Sequence, residues 1–224
     1  MGGQSFWHMG HIYRDNRLRG DNISLHDARE DLRDLLNKDY KKKVALDFVC
    51  NHHSISKEDR NLLSRTTFSD KDSEAIKSKE IFLSKLTGEK IAIDTYNVII
   101  TMEAVLYGDP LVCDDGVIRD DAGVFGKYRM SGRTTDILMR ISQAFSSYKP
   151  SEVVFFIDKQ VSRSGELAKA IESLQWCVPV RTFLTNNVDH DIKESGLLVA
   201  TADSGIIKYL DSFIDIPKYF LFKW

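Results

Sequence analysis

Apolar positions along this chain fall into two textures. Over residues 24–68 they recur at helical spacing: Leu25, Ala28, Leu32, Leu35 and Leu36 in SLHDAREDLRDLLNK, then Val44, Ala45, Phe48 and Val49 in KKKVALDFVC, then a third stretch in SISKEDRNLLSR. One apolar stripe per segment at that period predicts three short amphipathic helices forming a small bundle or helix-turn-helix-like unit. Ser24 and Ser56 each precede an aspartate, Asp27 and Asp59, at capping-box distance, which marks two helix starts. Residues 69–80, SDKDSEAIKSKE, are charged and Ser-rich and read as a linker or an exposed helix start. The helical unit with its linker is therefore assigned to 24–80. Residues 1–23 are polar, glycine-containing and aperiodic, without the apolar core of a signal peptide, and read as a flexible arm.

The second texture fills 81–224. Continuous apolar, β-branched runs appear in KIAID, EVVFFID (152–158), CVPVRTFL (177–184) and GLLVATAD (196–203), with helix-like segments TTDILMRISQAFSSY, SGELAKAIESLQ and SGIIKYLDSF among them. Buried strands alternating with helices predict an α/β domain with a mostly parallel sheet flanked by helices. One segment breaks the rhythm. YGDPLVCDDGVIRDDAGVFGKYRMSGR (107–133) is a connection of about 25 residues, well beyond the usual loop length and too apolar for simple disorder.

Composition narrows the choices. Hydrophobic residues make up 42% of 224, enough for a sizeable core, and the formal net charge is −2, so any polyanion site has to be a local patch. Three widely spaced cysteines without a CxxC suit a reduced, cytoplasmic protein without a zinc knuckle. No apolar stretch approaches the ~20 residues of a bilayer span, so a membrane partner is not expected. No GxxxxGK[ST] occurs, which argues against a P-loop enzyme. His52 and His53 have no second ligand pair at zinc spacing. The charge run KDYKKK (38–43) reads as a solvated face.

The candidate chemistry lies in aspartates that share an address. Three apolar runs end in one: Asp94 after IAI, Asp158 after VVFFI and Asp203 after LLVATA. In an open parallel sheet the carboxyl ends of the strands form the site-bearing edge, so three positions remote in sequence converge on one rim. VDHDIKE adds Asp189 and Asp191. Carboxylates gathered this way repel one another, and a hard divalent cation, Mg²⁺ or Mn²⁺, resolves the conflict. Each residue also has a bland reading. Strand-end aspartates cap helices, Asn97 suits a cap or loop hydrogen bond, and Phe125 and Tyr128 suit packing of the insertion.

The run IAIDTYN, the acidic VDHDI and the LLVATADSGI segment resemble the PIN-like nuclease superfamily, including its NYN branch. The resemblance covers roughly 89–210. It implies a metal-dependent ribonuclease cutting single-stranded RNA, with a water attacking phosphorus in line, and Mg²⁺ or Mn²⁺ as cofactor. It implies Asp94, Asp158 and Asp203 as catalytic carboxylates that also hold the metal, Asp189 or Asp191 as the internal acid, both being candidate metal ligands, and Asn97 and Thr201 as polar partners at the substrate. Glu103, Asp115 and Asp120 are candidates for the acid that the superfamily places on an early helix. Arg119, Lys127 and Arg129 of the insertion are expected to bind phosphate, with the insertion folded over the rim. RNA is the expected partner, and a homo-oligomer is allowed. The whole chain also resembles an archaeal family of domains of unknown function, in which a short helical region precedes a PIN-like domain carrying a stretch like CDDGVIRDDAGVFGKYR. The competing class is a non-catalytic RNA- or protein-binding module on the same scaffold. A haloacid-dehalogenase-type phosphatase needs a second aspartate two residues after the first, where this chain has Tyr96.

Overall fold

The computed structural model describes residues 23–120 and 128–222. Residues 1–22 of the proposed arm, and Phe125 and Lys127 of the insertion, lie outside the described residues, while Ile23 opens α1. In chain order the elements are α1 (Ile23–Asn37), α2 (Lys42–His52), α3 (Lys57–Thr66), α4 (Asp70–Lys79), a 3₁₀ turn (Leu83–Leu86), β1 (Lys90–Asp94), α5 (Thr95–Tyr107), β2 (Leu111–Val112), β3 (Ile118–Arg119), α6 (Gly132–Tyr148), β4 (Glu152–Asp158), α7 (Ser164–Ser173), β5 (Val180–Thr185), α8 (Val188–Glu194), β6 (Leu198–Ala200), α9 (Ser204–Ile207), β7 (Phe213–Ile214) and α10 (Ile216–Phe222). The described residues divide into two compact units, 23–77 with 109–120, and 78–108 with 128–222.

The first unit is helical with a small hairpin. Leu25, Ala28 and Leu32 of α1 pack on Ala45, Leu46 and Val49 of α2 and Leu62 and Leu63 of α3. Ser56 caps α3, its hydroxyl accepting from the Asp59 N–H at 3.0 Å. Ser24 does not cap. It lies inside α1 and donates to the His53 carbonyl at 2.9 Å. The charged 69–80 stretch is α4, opened by the Ser69 hydroxyl accepting from the Asp72 N–H at 3.1 Å. Val44 and Phe48, expected inside, are exposed at 57% and 63%. The buried face of α2 is instead built on Ala45, Leu46, Val49 and Cys50.

The antiparallel hairpin β2–β3 also belongs to this unit, although the sequence reading kept it with the α/β domain. Leu111 and Cys113 join the helical core, and the Asp114 N–H donates to the Thr66 carbonyl at 2.9 Å. Gly116, with φ +78°, takes the left-handed conformation that the Asp-Asp-Gly turn requires.

The second unit is a five-stranded parallel sheet in the order β5-β4-β1-β6-β7, flanked by helices. On one face Ile91, Ile93, Val153, Phe155 and Ile157 meet Val98, Ile99 and Met102 of α5, Ile141 and Phe145 of α6 and Leu167 of α7. On the other, Ala92, Val154, Phe156 and Val199 meet Ile192 of α8 and Ile206 of α9. The apolar run from Ile91 to Ile100 is thus a buried strand followed at once by a buried helix. Helix α5 keeps its form despite Val98, Ile99, Ile100 and Thr101, because burial outweighs the weak helix propensity of β-branched residues. Asp94 sits at the joint.

Candidate functional site

The strand order places a reversal beside Asp94. From β1 the chain steps outward to β4 and β5, then returns to the opposite side of β1 for β6 and β7. The carboxyl ends of β1 and β6 therefore flank the switch point, where open parallel sheets hold their ligands. Ala92 stands opposite Val199 in register, so Asp94 and Thr201, two residues further on, fall on the same face of the sheet. The Thr201 hydroxyl donates to Asp94 Oδ2 at 2.8 Å across this junction. It also accepts from the Asp203 N–H at 3.1 Å. Asn97, in the first turn of α5, accepts from the Ala202 N–H at 2.8 Å. The two loops at the switch point are tied together twice.

Asp94 is 5% exposed. Burial pushes its carboxyl up to about 7 from 3.8, the Thr201 hydroxyl pulls it back, and the carboxylates of Asp203 and Asp189 push the same way as burial. The Asn97 backbone N–H adds a smaller downward pull, although it lies outside cap hydrogen-bond geometry. Among the described residues no ion pair involves Asp94, Asp158, Asp189, Asp191 or Asp203.

The remaining acids take their places from the same edge. Asp203 lies three residues past the end of β6 and caps α9, its Oδ1 accepting from the Gly205 N–H at 2.6 Å. Asp158 ends β4, and its Oδ1 accepts from the Gln160 N–H at 2.8 Å. Helix α8 carries Asp189 and Asp191 in its first turn. Asp191 accepts from the Thr185 hydroxyl, and Thr185 stands opposite Asp158 in register. Tyr96, 2% exposed, is raised to about 12 by burial, by Asp158 and by Tyr128. Its ring meets that of Tyr128 edge-on at 5.7 Å, and the Tyr128 and Thr134 hydroxyls are 2.6 Å apart. The sequence reading passed over Tyr96 as a site residue. Its position two after the strand-end acid was the available signal.

Several expectations are corrected. Arg119 is 6% exposed and committed to Asp115, with guanidinium–carboxylate contacts of 2.9 and 2.7 Å inside the first unit. An arginine buried against its own aspartate is not a phosphate clamp. Asp115 and Asp120 pair with Arg119 and Arg65 in that unit, so neither supplies the early-helix acid. Glu103 pairs with Arg133 at 3.3 Å. Arg129 is exposed just before α6. Thr201 and Asn97 spend the groups named above on the scaffold: they hold the carboxylate and its loop.

The donor set can be tested against a hard cation. Among the described residues no three His, Cys, Asp or Glu side chains stand together as a cage for a metal ion. Asp158, Asp191 and Asp203 each commit an oxygen to a local hydrogen bond. A cation gripped by three side chains does not fit. A hydrated Mg²⁺ or Mn²⁺ held by one or two carboxylates does fit, because Mg²⁺ keeps several waters and Asp94 is a desolvated oxygen donor already crowded by negative charge.

Residues 83–219 match the family described as Domain of unknown function (DUF5616), and residues 24–79 match the one described as Protein of unknown function (DUF434). The uncharacterized protein MJ0935 of Methanocaldococcus jannaschii is 39% identical over 189 residues, covering 83% of this chain and 90% of that one. No solved structure matches the chain. The chain belongs to the DUF5616 family.

Proposed function

We propose that this DUF5616-family protein is a divalent-cation-dependent ribonuclease that hydrolyses phosphodiester bonds of single-stranded RNA at the switch point of its sheet. One observation carries the reading: a carboxylate at the β1–β6 junction, buried, without a cationic partner among the described residues, and raised to about 7 by burial and by the charges of Asp203 and Asp189. An unpaired buried acid among like charges costs stability and is a recurrent signature of functional sites. A hard cation at Asp94 would polarise the attacking water and offset the charge growing on the phosphoryl oxygens. The chain's residues do the positioning. Asp94 and Asp203 approach from adjacent strand ends, Asp189 adds negative potential from α8, and Thr201 fixes the Asp94 carboxylate. Tyr96 and Asp158 form the neighbouring wall. In the hydrolysis the water oxygen bonds to phosphorus as the phosphorus–ribose oxygen bond breaks, the water's proton passes to solvent or to a rim carboxylate, and the departing ribose oxygen takes a proton from solvent to become a hydroxyl.

No helix among the described residues is long and apolar enough to cross a membrane. The cysteines, Cys50, Cys113 and Cys177, are free, which suits the reducing cytoplasm. The second reading, a non-catalytic RNA- or protein-binding module, is favoured by the carboxylate oxygens already spent on caps and turns.

The test is cleavage of an end-labelled single-stranded RNA with Mg²⁺, Mn²⁺ or EDTA, alongside thermal melts with the same additions. The expected result is cleavage that needs the cation and is lost in Asp94→Asn and Asp203→Asn, with a cation-induced rise in Tm that Asp94→Asn removes. A cation-induced rise without cleavage selects the binding module. Neither effect overturns the site.

A further inference from the structure

We infer that the outer face of α2 is a second binding surface, for single-stranded RNA, on the helical unit. Val44, Phe48 and His52 follow one another at four-residue spacing along this helix, and all three are exposed, Phe48 at 63%. Tyr40, 53% exposed, precedes them. The Phe48 and His52 rings lie parallel, 1° apart in plane with centroids 6.2 Å apart. Two parallel exposed rings, with an exposed valine one turn before them, are a platform on which bases of any identity stack.

The charge beside the platform selects the occupant. Lys41 and Lys43 are exposed at its start. The first turn of α2 has no acid, and Lys41 at the N-cap has no side-chain cap bond. Lysines there oppose the helix dipole, so helix stability does not account for them. Nearby Asp47 is already taken up by Arg60. In a chain of net charge −2, Lys41 and Lys43 outnumber the exposed Asp39 at the start of the helix that carries the rings, the combination that tracks a single strand: phosphates on lysines, bases on rings. Four exposed side chains fall far short of the roughly 20–30 residues a side of a stable protein interface, whereas a strand of a few nucleotides fits them. The surface belongs to the first unit alone and does not rest on the acidic rim.

The experiment uses the full chain and a fluorescent oligouridylate in EDTA, where binding that needs a divalent cation is silent. Wild type should bind, with affinity falling as salt rises. Phe48→Ala with His52→Ala should weaken binding by about 5- to 100-fold, as expected for lost stacking, while Phe48→Tyr retains it. Lys41→Glu with Lys43→Glu should make the salt slope shallower by about 1.4, two phosphate contacts at about 0.7 each. Melting temperatures should stay unchanged, because these side chains are exposed. Equal binding in all variants, or no binding by wild type, overturns the proposal. A wild-type dimer that Phe48→Ala turns into monomer overturns it in favour of a contact between copies. Loss of rim cleavage in Asp94→Asn leaves this surface standing, and loss of the surface leaves the rim.

Discussion

The two units bury aspartates in opposite company. In the helical unit Asp115 is fully buried and meets Arg119. Asp114 meets Arg29 and Arg33, and Asp120 meets Arg65. In the α/β unit Asp94 is almost as deeply buried, yet its neighbours in charge are Asp203 and Asp189. The same residue type thus does two jobs. With an arginine, the desolvation of the acid is offset on the spot, and the pair becomes part of the architecture. Without one, the folded chain carries a charge conflict that a proton or a bound cation relieves. Burial alone does not mark a functional acid; the sign of the company it keeps does.

The largest expected effect breaks the first half of that contrast. Asp115→Ala should destabilise by about 3–5 kcal/mol in urea unfolding, because it strands the buried Arg119 charge. Arg119→Met combined with Asp115→Leu should recover most of the loss, since an apolar pair of similar volume removes both desolvation costs. The part not recovered should reflect the Val117 N–H, which donates to Asp115 at 3.1 Å in the hairpin turn. If Asp115→Ala proves neutral, paired and unpaired acids are not energetically different here, and the contrast fails.

The second effect has the opposite sign. The folded state holds the Asp94 proton up to about pH 7, whereas the unfolded chain releases it near 3.8. Between those values the folded state binds more protons, so stability falls as pH rises through that window and stays low above it. The rise from 3.8 to about 7 caps the loss at roughly 4 kcal/mol, and the realised value should be on the order of 2 kcal/mol. Asp94→Asn should therefore stabilise the cation-free protein above neutral pH and leave it unchanged well below pH 4. Its amide oxygen can still accept from Thr201. Unfolding curves across the pH range decide it: a destabilised Asp94→Asn at alkaline pH would show that the rim carries no charge conflict.

How far this was legible in the sequence follows from the range of each interaction. The apolar runs ending in Asp94 and Asp158 announced strands because their burial on both faces is written locally, and β1 and β4 end at those residues. The helices of the first unit follow from their period, although that period alone assigns the exposed row on α2 to the core. Val44 and Phe48 are apolar, and only the three-dimensional packing reveals that Ala45 and Val49 fill the interior instead. The hairpin is not among the expectations for 107–133, although Cys-Asp-Asp-Gly between apolar residues carries an Asp-Gly turn signal. Its destination carries none, because the bond from Asp114 to Thr66 spans 48 positions of chain, and nothing local encodes such a partner. For Arg119 the obstacle is different, because its partner Asp115 lies only four residues away. A basic residue in a long insertion suits a phosphate, and its commitment to Asp115 becomes visible only when the turn between them is folded.

The smallest effect tests the rim most finely, because two residues there hold the same loop by different atoms. Thr201→Val removes a hydroxyl that donates to Asp94 and accepts from the Asp203 N–H. Asn97→Ala removes an oxygen that accepts from the Ala202 N–H but leaves the Asn97 backbone near the carboxylate. Asn97→Ala should cost about 1 kcal/mol and Thr201→Val, which removes two bonds, about 2 kcal/mol, at the usual net worth of an intramolecular hydrogen bond, so stability at one pH separates them only by degree. The pH profile should separate them in kind. The Thr201 hydroxyl favours the charged form of Asp94 and holds its pKa down, so Thr201→Val should move the upper end of the stability decline to higher pH. Asn97→Ala should lower the whole curve without moving that end. Equal shifts in both variants would mean that the loop, and not the hydroxyl, sets the protonation of Asp94; a shift in neither would mean that the carboxylate is governed by burial and by Asp203 and Asp189 alone.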